Sequence, residues 1–146
     1  MTVPVRVFFR LEQDDDDYPP VATESLWAIP GPDADEYIID NIPFFVHEAT
    51  IGDAIVARQE DGLPWFNKLL RRSKNSLLRA VFFDDARVDE VRRRLIDIGC
   101  SVEYAKDYKL LAISIPEAVR LTEVQDYLSS EATAGTLDYE EPILRQ

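Results

Sequence analysis

The chain has 146 residues, and 28 acids against 16 bases with one histidine give a net charge of −12. That length fits one domain or two very small ones, and 46% hydrophobic with 10% aromatic residues is enough for a packed core, which excludes a disordered chain. One cysteine, Cys100, excludes an intrachain disulfide and any CxxC pair, and one histidine excludes a His-rich metal site.

The charge is uneven. Residues 1–66 hold 14 acids and only three bases, Arg6, Arg10 and Arg58, whereas residues 67–146 hold 14 acids and 13 bases. Val3, Val5, Val7, Phe9 and Leu11 alternate with Arg6 and Arg10, which predicts a first strand with Val3 to Leu11 on its inner face. Asp14, Asp15, Asp16 and Asp17, followed by Tyr18-Pro19-Pro20, predict a surface loop, because like charges repel and proline lacks an amide donor. Further strands are predicted at Ser25 to Ile29, Glu36 to Ile39, Phe44 to Glu48, Asp53 to Gln59 and Trp65 to Leu70. A tight Asp61-Gly62 hairpin joins the last two. Six short strands separated by turns point to a small barrel or rolled antiparallel sheet.

The second half has another rhythm. Ser76 to Phe83 is a nearly continuous apolar run and predicts a strand buried on both faces. Asp84 or Asp85 caps a helix in which Val88, Val91, Leu95 and Ile98 share one face, and Gly99 ends it. Strands follow at Cys100 to Lys106 and Leu110 to Ile115. Thr122 and Gln125 predict a capping box for a second helix, with Val124, Tyr127 and Leu128 inward. A short strand at Leu137 to Tyr139 completes the order β-α-β-β-α-β, the ferredoxin-like order. The expectation is an α+β protein with an acidic β-rich subdomain at 1–75 packed on a ferredoxin-like subdomain at 76–146. The two would unfold as one unit.

Little in the chain points to chemistry. His47 has no His or Cys near it, and Cys100, directly after a helix-ending glycine, reads as a small buried hydrophobe. The Asp14–Asp17 run lacks the alternating ligands and glycine of a calcium loop. No catalytic residue, metal ligand or cofactor is predicted. Arg92-Arg93-Arg94 fan across an outer helix face. Two polar groups remain. Asp14, Asp15, Asp16, Asp17, Asp33, Asp35 and Glu36 would form a partner-binding surface if their loops lie at the same end of the sheet. Arg71, Arg72 and Lys74, at the junction of the halves, would bind an anion.

Val5 to Leu11, Asp17-Tyr18-Pro19-Pro20, Glu24 to Ala28, Tyr37 to Phe45, Gly52-Asp53, Arg71-Arg72-Ser73 and Leu78 to Asp84 occur in one order. Together they resemble the bacterial domain-of-unknown-function 4265 family over roughly residues 3–115. The resemblance implies a small cytoplasmic protein and supplies no catalytic or ligand residue. It also implies Gly-His after the Arg-Ser, where this chain has Lys74-Asn75. The sequence therefore leads to a non-catalytic acidic module. Its partner is expected to be a protein with a basic surface, as for an immunity protein or antitoxin. The alternative is a regulatory domain that binds a small anion. Neither nucleic acid nor membrane is an expected partner, and the expected compartment is the cytoplasm, since no signal-like or membrane-length apolar run is present.

Overall fold

The computed structural model describes residues 3–146, and the chain divides into two compact units, residues 1–73 and 74–146. The described residues form nine strands and two α-helices, a mixed α+β fold.

In the first unit five strands run β1 (Val5–Arg10), β2 (Thr23–Pro30), β3 (Glu36–Ile39), β4 (Ala54–Glu60) and β5 (Leu63–Arg71). Each pairs antiparallel with the next, and β5 returns to β1 through a parallel contact between Phe8 and Trp65, so the sheet closes into a ring. Period-two alternation sends Val7 and Phe9 of β1, Leu26 and Ala28 of β2, Ile39 of β3, and Ile55 and Ala57 of β4 into one core. Phe9 stacks on Phe66 there with ring centroids 4.8 Å apart. Val3 lies outside β1 and is exposed, contrary to its expected inner position, whereas Leu11 packs against the core. The β4–β5 turn has positive φ at both Asp61 (54°) and Gly62 (80°), the backbone twist that a two-residue hairpin needs.

The strand expected at Phe44 to Glu48 does not form. Phe45 and Val46 are both buried, which breaks alternation. The backbone N–H groups of Phe44, Phe45 and Val46 donate to the Glu24 carboxylate at 2.7, 2.9 and 2.9 Å, so a side chain takes the place of a neighbouring strand.

The second unit comprises β6 (Ser76–Phe82), α1 (Val88–Ile98), β7 (Ser101–Ala105), β8 (Leu110–Ile115), α2 (Leu121–Thr133) and β9 (Leu137–Ile143). Its sheet has the order β7–β8–β6–β9, antiparallel throughout. Leu78, Ala80 and Phe82 of β6 and Leu111, Ile113 and Ile115 of β8 join Val88, Val91 and Leu95 of α1 and Leu121, Val124 and Leu128 of α2 in a second core. β6 is less enclosed than its apolar run predicts: Val81 and Phe83, near its end, are exposed. Pro142 lies in β9, an edge strand, where a missing amide donor is tolerated.

Helix ends also depart from expectation. Asp84 Oδ1 accepts from Ala86 N–H at 3.1 Å and so caps a 3-10 turn, Asp85–Arg87, that leads into α1. The Thr122 box is not the start of α2, which begins one residue earlier. Its Leu121 N–H donates to Gln146 Oε1 at 3.1 Å, and Gln146 Nε2 donates to the Val119 carbonyl at 2.6 Å. A distant side chain thus satisfies an amide that local sequence leaves open. Gly99 ends α1 as expected, with φ 119°. Its N–H reaches the Ile96 carbonyl at 3.0 Å, and the Cys100 N–H reaches the Leu95 carbonyl at 3.0 Å.

Candidate functional site

The loop after β1 is a built structure. Asp14 Oδ1 accepts from the N–H groups of Asp16 and Tyr18, both at 2.9 Å, and Gln13 Nε2 donates to the Pro19 carbonyl at 3.0 Å. Asp14 N–H bonds the Tyr18 carbonyl at 2.7 Å, and Asp17 takes the left-handed backbone, φ 58°, that aspartate tolerates better than most residues. One carboxylate therefore closes the turn. Asp15, Asp16 and Asp17 stay exposed, and among the described residues no base lies within ion-pair distance of them.

Asp33, Asp35 and Glu36 do not join them. They follow β2, while Asp14–Asp17 precede it, so the eight-residue strand holds the two groups roughly 25 Å apart at opposite ends. Glu36 is not a surface residue at all, being 2% exposed. Its Oε2 accepts from Arg71 at 2.8 Å, and its Oε1 has no hydrogen-bond partner among the described residues. Gly31 lies so close that a Cβ there would meet Glu36 Oε2 at 2.6 Å. The seven acids expected as one surface are thus a four-residue loop, two exposed turn residues and a buried ion-pair member.

The bases near the junction are largely engaged within their own units. In the first unit Arg71 holds Glu36, while Arg72 is exposed. In the second, Lys74 pairs with Glu117 at 3.3 Å. Two of the three expected anion-binding charges already face carboxylates.

Sequence reasoning passed over the acids that do most within the first unit. Beside the Glu24 clasp, the fully buried Asp53 accepts the Thr50 N–H at 3.0 Å and the Ser73 N–H at 2.8 Å. Ser73 Oγ donates to the Ile51 carbonyl at 3.0 Å. Together these carboxylates anchor both ends of the segment between β3 and β4 and the exit of β5. The available signal was Glu24 inside an apolar strand and Gly52-Asp53 directly before another. Buried acids in such places need donors, and backbone amides supply them.

His47 is exposed. Cys100 is buried, and burial, followed by the nearby Glu123 charge, pushes its thiol up to about 11, so a nucleophilic thiolate is disfavoured at neutral pH. Arg93 and Arg94 line an open groove of about 580 Å³ with Glu90, Asp97, Tyr127 and Glu131, where opposite charges offset one another. Among the described residues no group of three or more His, Cys, Asp or Glu side chains is placed to hold a metal ion, and no helix is long and apolar enough to cross a membrane.

These features define a small α+β protein of two units with a structured, exposed acidic loop after β1. The chain belongs to the family described as Domain of unknown function (DUF4265), whose model matches residues 24–139. The match begins after Val5 to Leu11 and Asp17-Tyr18-Pro19-Pro20, which had also carried the resemblance, and runs on into β9 as far as Tyr139. A solved structure of a hypothetical protein from Neisseria gonorrhoeae is similar to it, with a TM-score of 0.77 and 19% identity over 100% of this chain and 97% of that one. That likeness concerns the fold. No curated protein matches the chain.

Proposed function

We propose that this chain is a non-catalytic protein-binding module of the cytoplasm whose Asp14–Asp17 loop contacts a basic protein surface, as an immunity or antitoxin-type inhibitor does. The observation that carries the reading is the pre-formed loop itself: Asp14 closes its backbone while three further carboxylates stay exposed, with no base in ion-pair distance among the described residues. A loop already in its bound shape loses little entropy on docking, and fixed charges speed encounter with an oppositely charged surface. The net charge of −12 adds to that steering. The scaffold suits the task. We read the ring as a small barrel and the second unit as ferredoxin-like, on the strand order β7–β8–β6–β9 with its first strand, β6, inside the sheet.

The test is a pull-down from the native host with wild type and with Asp15→Asn/Asp16→Asn/Asp17→Asn. Asp14 is kept because it holds the turn, and Asn tolerates the left-handed backbone at 17. A basic protein retained by wild type, released by salt and lost with the variant supports the reading. The same proteins retained by both overturn it.

A further inference from the structure

The outer face of the ring carries a second, opposite feature. Arg6, Phe8 and Arg10 point outward from β1, and the register sets Arg6 opposite Trp27, Phe8 opposite Ser25 and Trp65, and Arg58 opposite Trp65. The Arg6 guanidinium lies over the Trp27 ring at 4.7 Å and that of Arg10 over Trp65 at 4.0 Å, with Phe8 tilted against Trp65 at 5.5 Å. These three arginines are all the bases of residues 1–66, and these are the chain's two tryptophans. Glu60 pairs with two of them, at 3.1 Å from Arg10 and 3.6 Å from Arg58, whereas Arg6 hydrogen-bonds only Ser25 Oγ at 3.3 Å and has no ion pair among the described residues. Trp27 is 44% exposed, and Leu63 beside this strip is exposed as well. Half-exposed Trp and Arg side by side are the residues that dominate protein–protein contacts.

We propose that this face docks the Asp14–Tyr18 loop of a second copy of the chain. The inference rests on the reading of that loop as an element that contacts a basic protein surface, and names that surface. Charge complementarity carries it. The loop offers exposed carboxylates with no base in ion-pair distance among the described residues, followed by Tyr18, Pro19 and Pro20; the face offers three guanidinium groups beside two tryptophan rings against the single acid Glu60. The loop begins within a few residues of Arg10, so each copy presents both halves of the contact next to each other. A two-fold axis then satisfies loop and face twice, as a self-complementary dimer requires. A nucleic acid is the weaker occupant, because every added phosphate meets the field of a chain with net charge −12. At about 0.15 M salt, screening over about 8 Å mutes the repulsion between two such chains while contacting charges still attract.

Sedimentation velocity of the full chain at rising concentration tests this. The expected result is a monomer–dimer equilibrium, weakened at least about tenfold, or about 1.4 kcal/mol, by Arg6→Glu/Arg58→Glu and by Asp15→Lys/Asp16→Lys. All four positions are exposed, and circular dichroism checks that each variant folds. Each variant alone sets like charges against each other, but mixing the two pairs acidic loop with basic face and basic loop with acidic face. Mixing should therefore restore the dimer. A monomer at every concentration, a dimer untouched by either variant, or no restoration on mixing would overturn the proposal. So would tight binding of a thymidine oligonucleotide that Arg6→Glu/Arg58→Glu abolishes. A monomeric wild type that still loses a basic host protein on Asp15–Asp17 substitution would sink the dimer and leave the loop's wider role standing.

Discussion

Glu24 is worth more to this protein than any surface acid. Its carboxylate meets three successive amides, and each charge-assisted bond replaces a strand contact that the segment after β3 does not make. Glu24→Gln keeps the volume but turns an amide donor toward those N–H groups. The expected cost is about 1–3 kcal/mol, read by chemical denaturation, with faster hydrogen exchange at Phe44, Phe45 and Val46. Unchanged exchange would mean that the clasp is not what protects them. Cys100 makes the opposite case, a reactive atom made inert. Iodoacetamide should label it slowly at pH 8 in the folded chain and quickly in denaturant. Its folded thiol is raised to about 11 from an ordinary 9. Folding therefore favours the neutral thiol, and that contribution is complete below pH 9 and lost between pH 9 and 11. Tyr104 and Tyr127, both raised by burial, add to the same alkaline loss.

Among the elements, α1 is the one whose end its own neighbouring residues dictate. Leu95 and Ile98 close its apolar stripe, and a glycine follows. Gly99 is needed twice, for its positive φ and because a Cβ there would meet Val119 Cγ2 at 2.7 Å. Gly99→Ala should therefore cost more than the roughly 1 kcal/mol of a left-handed alanine alone, measured as a drop in the urea midpoint. A change within error would show that Val119 gives way freely. The start of α2 depends on a residue far outside it, because the partner of Leu121, Gln146, is 25 residues away. Gln146→Ala should loosen the first turn of α2, costing about 0.5–2 kcal/mol as other lost N-caps do, with faster exchange at Leu121. On the same helix Glu131 occupies an inward position because Arg87 reaches it at 2.7 Å. Hydrophobic periodicity has no means of anticipating a buried ion pair from the wrong-looking residue.

For the whole molecule, charge is the property with the widest reach. Asp15→Asn/Asp16→Asn/Asp17→Asn removes three exposed like charges and should leave the melting temperature unchanged or slightly raised, since exposed charges contribute little. Asp14→Ala, by contrast, should lower it, because Asp14 Oδ1 accepts two backbone N–H bonds within the loop and alanine has no acceptor there. Differential scanning calorimetry at low and high salt separates the two. A large loss from the triple change would mean that the loop is structural throughout.

Composition and short-range pattern were sufficient for the acidic half, the two helices, the Asp61-Gly62 hairpin and most strands, because each rests on a neighbour within a few residues. The resemblance to the family was legible as well: the segments in β2, β3 and the stretch after it lie within the matched residues 24–139, whereas those in β1 and at Asp17–Pro20 lie outside them. Other features required contacts between residues far apart in sequence. Phe44–Val46 look like a strand until Glu24, 20 residues earlier, takes their amides. Glu36 looks like a surface acid until Arg71, 35 residues later, lets it be buried. The arginines of β1 looked like ordinary solvated positions until β1–β2 pairing set Trp27, and ring closure set Trp65, beside them. Local sequence sets what a segment prefers, and the tertiary fold decides which distant group satisfies its polar atoms.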